Sequence, residues 1–181
     1  NKGLQATSLT TPKAQGDRWP TEMRYKVTYD GITKTYAVLH HTARHLLDSA
    51  KAQEEGSMLS LRAAAVFYAF AFEAYLNHVG SEEIEIWEEI ERISHGKKLR
   101  IIAKHLKLQL DLSKTPFRTI EEVFDLRDML AHGRTMAIAV QSETDEEPPR
   151  RSTWRIHEWD KLTSDQVENY AKCVREAAEM I

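Results

Sequence analysis

The feature that most limits the fold is a long apolar run in the middle of the chain. Residues 63–72 read AAAVFYAFAF, and apolar side chains dominate over the whole range 58–79. Because this segment is hydrophobic on nearly every side, it predicts the central and most buried helix of the protein. Other elements must pack around that helix to keep its surface out of water.

Apolar residues at helical spacing predict further helices on both sides of this segment. The predicted ranges are 34–55, 82–93, 97–110, 116–132 and 163–181. Gly80 and the pair His95-Gly96 are expected to end or break helices, Ser57 to cap the central helix, and Gly133 to terminate the helix that begins near Pro116. Thr163 and Gln166 have the spacing of a capping box, which predicts the start of the last helix.

Two regions are predicted to contain β-structure. Alternating residues over 23–29 predict a short N-terminal strand, and the ranges 135–141 and 153–159 predict a β-hairpin with a long polar tip. Residues 1–18 lack periodicity and are expected to form a flexible arm, which leaves 19–181 as a single domain with a hairpin insert at 135–159. The expected fold class is therefore mainly α, a helical bundle with a small β-hairpin appendage and a short N-terminal strand.

Composition narrows the range of functions. The single Cys173 excludes an intramolecular disulfide and every zinc site built on paired cysteines, and it favours a cytoplasmic location. No stretch of 18 uninterrupted apolar residues occurs, so no membrane span is expected. The net charge of −3 argues against bulk duplex binding but allows a local basic cleft. No glycine-rich phosphate loop or nucleophile elbow is found, and no cofactor is expected.

At several places in the chain, four to six residues separate an Arg from a following His. The pairs are Arg100 with His105, Arg127 with His132, and both Arg150 and Arg151 with His157. Spacing alone does not choose between them. Arg127 and His132 are distinguished by their context, at the end of an apolar helix with Asp128 between them. Positions five apart on a helix point about 140° apart, so we expect the backbone to bend after Ala131, where Gly133 allows it.

Residues 124–133, FDLRDMLAHG, resemble the Arg-polar-x-x-x-His signature of HEPN domains, and residues 62–77 are similar to the long buried helix of that family. The resemblance covers residues 34–133 and the last helix, without the N-terminal strand or the hairpin. It implies a helical bundle whose active members are metal-independent ribonucleases of the toxin or antiviral-defence kind. It also implies a homodimer that binds RNA, in which two subunits complete one site, with an antitoxin or inhibitor protein as a further partner.

The implied roles agree with side-chain chemistry. RNA can be cleaved without metal when the ribose 2′-OH attacks the adjoining phosphate, which requires proton transfer and positive charge at the phosphate. The resemblance assigns acid and base work to His132, phosphate binding to Arg127, and the orientation of either group to Asp128. Two alternatives stay open. Arg127 could form a structural ion pair with Asp125 or Asp128, and the domain could be a non-catalytic nucleotide-binding, RNA-binding or dimerisation module.

Other polar residues allow a functional or a structural interpretation. Lys97, Lys98, Arg100 and Lys104 belong to the densest basic stretch, which could guide RNA or form a solvated face that balances the acidic segment 82–91. Glu73 and Asn77 lie one turn apart in the apolar helix and could line a cleft or satisfy a buried network. His41 and His45 have the spacing of metal ligands but lack a third ligand nearby, so no metal site is expected.

Overall fold

The computed structural model describes residues 31–53, 55–133 and 161–181. These ranges contain the helices α1 (Thr35–Ala52), α2 (Ser57–Glu83), α3 (Trp87–Ile90), α4 (His95–His105), α5 (Phe117–His132) and α6 (Ser164–Met180). All of them belong to one compact unit, Lys34–Ile181. The predicted mainly helical bundle is thus confirmed. The predicted arm, N-terminal strand and β-hairpin lie outside the described residues.

The apolar segment forms α2, which packs against each of the other five described helices. Leu61, Tyr68, Phe72 and Leu76 are among its buried residues, as expected of a helix that is hydrophobic nearly all round. By length and composition alone, α2 is the one described helix that could cross a membrane, and 44% of its most apolar window is buried inside the bundle. Core helices of soluble proteins share both properties.

The first two helices form an antiparallel hairpin. Tyr36 at the start of α1 meets Tyr75 late in α2, with ring centroids 5.3 Å apart, and His40 meets Tyr68 at 5.4 Å. The N-cap of α2 is Gly56 rather than the expected Ser57. Gly56 has a φ of 76°, a left-handed conformation that glycine adopts without the steric cost of a side chain.

The prediction that Gly80 ends the central helix is wrong, because α2 continues to Glu83. Gly80 instead lies under the indole of Trp87, where a Cβ atom would come within 2.2 Å of Trp87 Cε2. Trp87 is 2% exposed, so its ring has little room to move. The glycine therefore serves packing between α2 and α3 rather than helix termination.

Two further boundaries differ from the predictions. The expected acidic helix over 82–93 is reduced to α3, since its first residues belong to α2. His95 and Gly96 do not break the chain but form the first turn of α4, which ends at His105. There Lys107 adopts a φ of 57°, and Leu108 N donates to Ala103 O at 2.8 Å. This is the Schellman pattern that closes a helix C-terminus.

The last helix begins as predicted. Gln166 N donates to Thr163 Oγ1 at 3.2 Å, and Thr163 N donates to Gln166 Oε1 at 2.9 Å. This reciprocal capping box satisfies backbone donors that the first turn of a helix would otherwise leave unpaired. Val167 and Val174 on the buried face of α6 then close the bundle.

A groove of about 460 Å³ lies between α1, α2 and α6. Its apolar walls include Tyr36 and Tyr75, and its lining carries the cationic side chains of Arg44 and Arg175 beside His40. Burial lowers the pKa of His40 below its ordinary value, and the charges of Arg175, Arg44 and His41 lower it further. The folded protein therefore favours the neutral form of His40.

We expect this effect to make stability depend on pH. The unfolded chain binds a proton on His40 at a higher pH than the folded chain does, so the melting temperature should fall as pH is lowered from about 7.5 to about 5.5. His40→Gln removes the titrating group and should flatten this dependence. Thermal melts of both proteins across this pH range measure the difference, and parallel curves would contradict the assignment.

Gly80 gives a packing prediction with an internal control. Replacing glycine by alanine inside a helix normally stabilises it by up to about 1 kcal/mol, but Gly80→Ala should destabilise by about 1–3 kcal/mol because the new methyl group overlaps Trp87. At Gly96 in α4, no atom lies within 4 Å of the position that a Cβ would take, so Gly96→Ala should be neutral or stabilising. Urea unfolding of both variants tests the contrast, and equal effects would refute the packing argument.

Candidate functional site

The candidate site lies where the buried face of α5 meets the charged end of the helix. The buried face of α5 includes Ile120, Val123 and Phe124. Arg127 follows three residues after Phe124, near the same face of the helix. The Arg127 side chain is 20% exposed, so its guanidinium lies at the border between core and solvent. A cation at this depth requires partners, since water only partly solvates it.

Glu73 provides the first partner. Its Oε2 accepts from Arg127 Nη2 at 3.3 Å, and its Oε1 accepts from Lys98 Nζ at 2.9 Å. One carboxylate of α2 thereby holds one cation from α5 and one from α4. The Lys98 side chain is 2% exposed, so its charge depends on Glu73 for compensation.

Arg127 has two further neighbours on its own helix. Its Nη1 lies 2.7 Å from Asp128 Oδ1 in an ion pair, and its Cζ lies 5.1 Å from the centre of the Phe124 ring. Of the two neighbouring aspartates considered as partners, Asp128 takes that role. The buried Nε–H of Arg127 has no acceptor among the described residues. The guanidinium is thus fixed at both Nη atoms.

His132 is exposed and makes no hydrogen bond or ion pair with any described residue. The expected bend after Ala131 is wrong, because α5 remains helical through His132 and only Gly133 leaves it. Gly133 has a φ of −54° rather than a left-handed one. A Cβ there would lie 2.8 Å from Met129 O, so glycine permits a close approach of the backbone at this end.

The continuous helix directs the Cα–Cβ bonds of Arg127 and His132 about 140° apart. Asp128 reduces this separation, because it lies four residues before His132 and therefore about 40° away around the helix. By bonding to Asp128, the long Arg127 side chain reaches toward the face of α5 that carries His132. Among the described residues, Asp128 pairs with Arg127 and makes no hydrogen bond or ion pair with His132.

The basic stretch divides into three exposed residues and one buried residue. Lys97, Arg100 and Lys104 are exposed on α4, as RNA contacts would require. The predicted RNA contact at Lys98 is wrong, because its ammonium is buried and paired with Glu73. Sequence spacing could not separate these lysines, since which face of α4 is buried depends on the helix that it packs against.

The structure also brings together residues that the sequence did not connect. His95 Nε2 lies 3.0 Å from Glu121 Oε2, and the His95 ring stacks on Phe124 with centroids 3.5 Å apart and planes 9° apart. His95 and Arg127 therefore contact the same aromatic ring. Glu121 is 26 residues from His95 in the chain, so no local pattern could have revealed this pair.

Of the two polar residues in α2, Glu73 joins the network described above. Asn77 Oδ1 is buried without a hydrogen-bond partner among the described residues. His41 and His45 are both exposed on α1, and no group of three metal-ligating side chains converges within the described ranges.

Compared with family models, curated proteins and solved structures, the chain matches none of them. The resemblance to HEPN domains therefore remains a prediction from residues 62–77 and 124–133.

The buried pair gives a stability prediction. Glu73→Gln leaves the Lys98 charge buried without an anion, which should destabilise the fold by about 3 kcal/mol. This value is at the lower end for a broken buried ion pair, because the Glu73 side chain is itself 29% exposed. Adding Lys98→Met removes the unpaired charge and should recover more than half of the loss.

Urea unfolding with Glu122→Gln as a control measures these differences. Glu122 is 57% exposed and its oxygen lies 3.9 Å from Arg118, so its loss should cost less than about 1 kcal/mol. If Glu73→Gln proved as mild as this control, the pair would not hold the helices together.

Proposed function

We propose that this protein is a metal-independent endoribonuclease of the toxin or defence type, acting as a homodimer of HEPN-like chains. The observation that supports it most directly is the arrangement at the end of α5. A guanidinium is fixed by two carboxylates, and an exposed imidazole lies on the same face as one of them. A cytoplasmic location and an antitoxin or inhibitor partner belong to the same proposal.

Arg127 is assigned to the phosphate. Because Glu73 and Asp128 hold its two Nη atoms, the side chain loses little conformational entropy when a ligand binds. A guanidinium donates to phosphate oxygens in a fixed plane, and its effect is largest where negative charge develops in the transition state. The Arg127 side chain is 20% exposed, and in this proposal the ligand contacts the exposed part.

His132 is assigned to proton transfer. In the proposed reaction the 2′-OH loses a proton to a base and attacks the adjacent phosphorus, while the bond from phosphorus to the 5′-oxygen breaks and that oxygen takes a proton from an acid. The products are a 2′,3′-cyclic phosphate and a 5′-hydroxyl. Histidine is suited to both steps near neutral pH. Asp128 is assigned to orienting Arg127, with which it forms an ion pair.

The reaction requires two proton-transfer groups, and this end of α5 supplies one imidazole per chain. A two-fold dimer about this end would place two copies of His132 and Arg127 around one phosphate. Met129, between Asp128 and His132, is 39% exposed and offers apolar surface for such a contact. The proposed active unit is therefore the dimer.

His132→Ala tests the catalytic assignment. Since His132 is exposed and unpartnered among described residues, its replacement should leave the melting temperature unchanged while lowering RNA cleavage by about 10²–10⁴-fold. The assay incubates purified protein with structured RNA in EDTA and identifies cyclic-phosphate ends. His105→Ala is the matched control, because His105 is also exposed, ends a helix and lies five residues after an arginine.

Three results would overturn the proposal: no cleavage, cleavage unchanged by His132→Ala, or equal losses in both histidine variants. Protein concentration provides an independent check. If two chains form one site, cleavage per chain should rise with the fraction of dimer, which sedimentation measures. Activity per chain that does not vary with that fraction would contradict the composite site.

A second candidate function is a non-catalytic dimerisation or RNA-binding module. It is favoured by the fact that Arg127 is already paired with two carboxylates, as in a structural ion pair. In that case Arg127→Ala would lower the melting temperature, and His132→Ala would change neither stability nor RNA cleavage.

A further inference from the structure

A cavity of about 580 Å³ opens between the start of α4 and the start of α5. This volume is in the usual range of small-molecule sites. Its floor is apolar, formed by Phe72, Leu99, Phe117 and Ile120. Its polar lining contains His95, Lys97, Arg100 and Arg118, and Glu121 is the only acidic residue among the described residues that line it.

The charges of the lining are not balanced within the described part of the chain. Glu121 pairs with His95 at 3.0 Å, and Arg118 lies 3.9 Å from Glu122. Lys97 and Arg100 have no ion-pair partner among the described residues. They are three positions apart on α4 and therefore lie on the same side of that helix. Two uncompensated cations at one mouth favour an anionic ligand.

His95 gives the cavity a flat and rigid wall. One face of its ring is covered by Phe124, and Nε2 lies 3.0 Å from Glu121. The side chain is 15% exposed and contributes to the lining of the cavity. An aromatic ring held in this way can stack on a nucleobase, which is how single-stranded nucleic acids are commonly bound. The three features match the three parts of a nucleotide: the flat wall matches the base, the cationic mouth the phosphate, and the apolar floor the sugar between them.

We infer that the cavity holds one nucleotide of a single-stranded RNA, with the base against His95 and the phosphate between Lys97 and Arg100. The inference rests on the proposed function in taking RNA as the ligand. Lys172, an exposed lysine of α6, does not line the cavity and has no part in the contact.

Binding to an RNA that cannot be cleaved tests the inference separately from catalysis. The probe is a fluorescein-labelled decamer of 2′-fluoro RNA, which lacks the attacking hydroxyl, and the readout is anisotropy across a salt series. Lys97→Gln and Arg100→Gln should each weaken binding and reduce the slope of log K against log salt by about 0.7. Lys172→Gln, which removes an exposed charge on α6 away from the cavity lining, is the control and should leave the slope unchanged.

Base stacking is tested with an abasic decamer of the same length and charge. The unmodified protein should bind it about 5- to 150-fold more weakly than the decamer with bases. His95→Ala should remove most of this difference, with circular dichroism and a thermal melt checking that the variant is folded. Competition by inorganic phosphate tests whether the cavity binds a free phosphate ion as well as the phosphate of a nucleotide. If phosphate competes as well as a mononucleotide does, the site binds anions without reading a base.

The outcomes separate the two proposals. Binding that depends on Lys97, Arg100 and His95 without any RNA cleavage supports the nucleotide site and refutes the nuclease. Cleavage that depends on His132, with equal binding by the Lys97, Arg100 and Lys172 variants, refutes the nucleotide site. Absence of measurable binding, or equal affinity for the abasic decamer, also overturns it.

Discussion

The central position of α2, in contact with every other described helix, is the constraint that organises the described bundle. Its apolar surface gains stability only when other helices cover it, and α1, α3, α4, α5 and α6 all pack against it. Small residues permit this: Ala64, Ala65 and Ala69 are fully buried, and Gly80 accepts the ring of Trp87 at a distance that no Cβ would allow. The positions of the remaining helices follow from the need to cover this one surface.

Glu73 is the charged exception in the middle of that apolar helix, and it determines where charge can exist in the neighbouring helices. Its two oxygens hold the buried Lys98 of α4 and the half-buried Arg127 of α5. Breaking one partner of such a pair leaves an uncompensated charge in a low-dielectric environment. The same contacts therefore serve stability and position the guanidinium that the proposed chemistry uses, so a structural role for Arg127 and a catalytic one are not exclusive.

Phe124 connects the two candidate regions. One side chain supports the stacked ring of His95 at the α4–α5 cavity and lies beside the guanidinium of Arg127. Phe124 is 1% exposed, so it supports both residues from within the core. Rigid supports of this kind are what small polar sites require, because a displacement of about 1 Å weakens the directed contacts on which they depend.

The sequence by itself determined the helical class, the burial of α2, the capping box of α6 and the candidate pair Arg127 and His132, because each depends on local periodicity or on residues within one or two turns. It wrongly predicted that Gly80 ends α2 and that His95-Gly96 break the chain. A glycine that serves close packing and one that ends a helix cannot be distinguished in the sequence. Tertiary structure alone decided that Lys98 is buried, that Glu73 pairs with it and with Arg127, and that His95 meets Glu121. These contacts join residues 25, 54 and 26 positions apart, and only the packing of helices on α2 brings such residues within reach of each other.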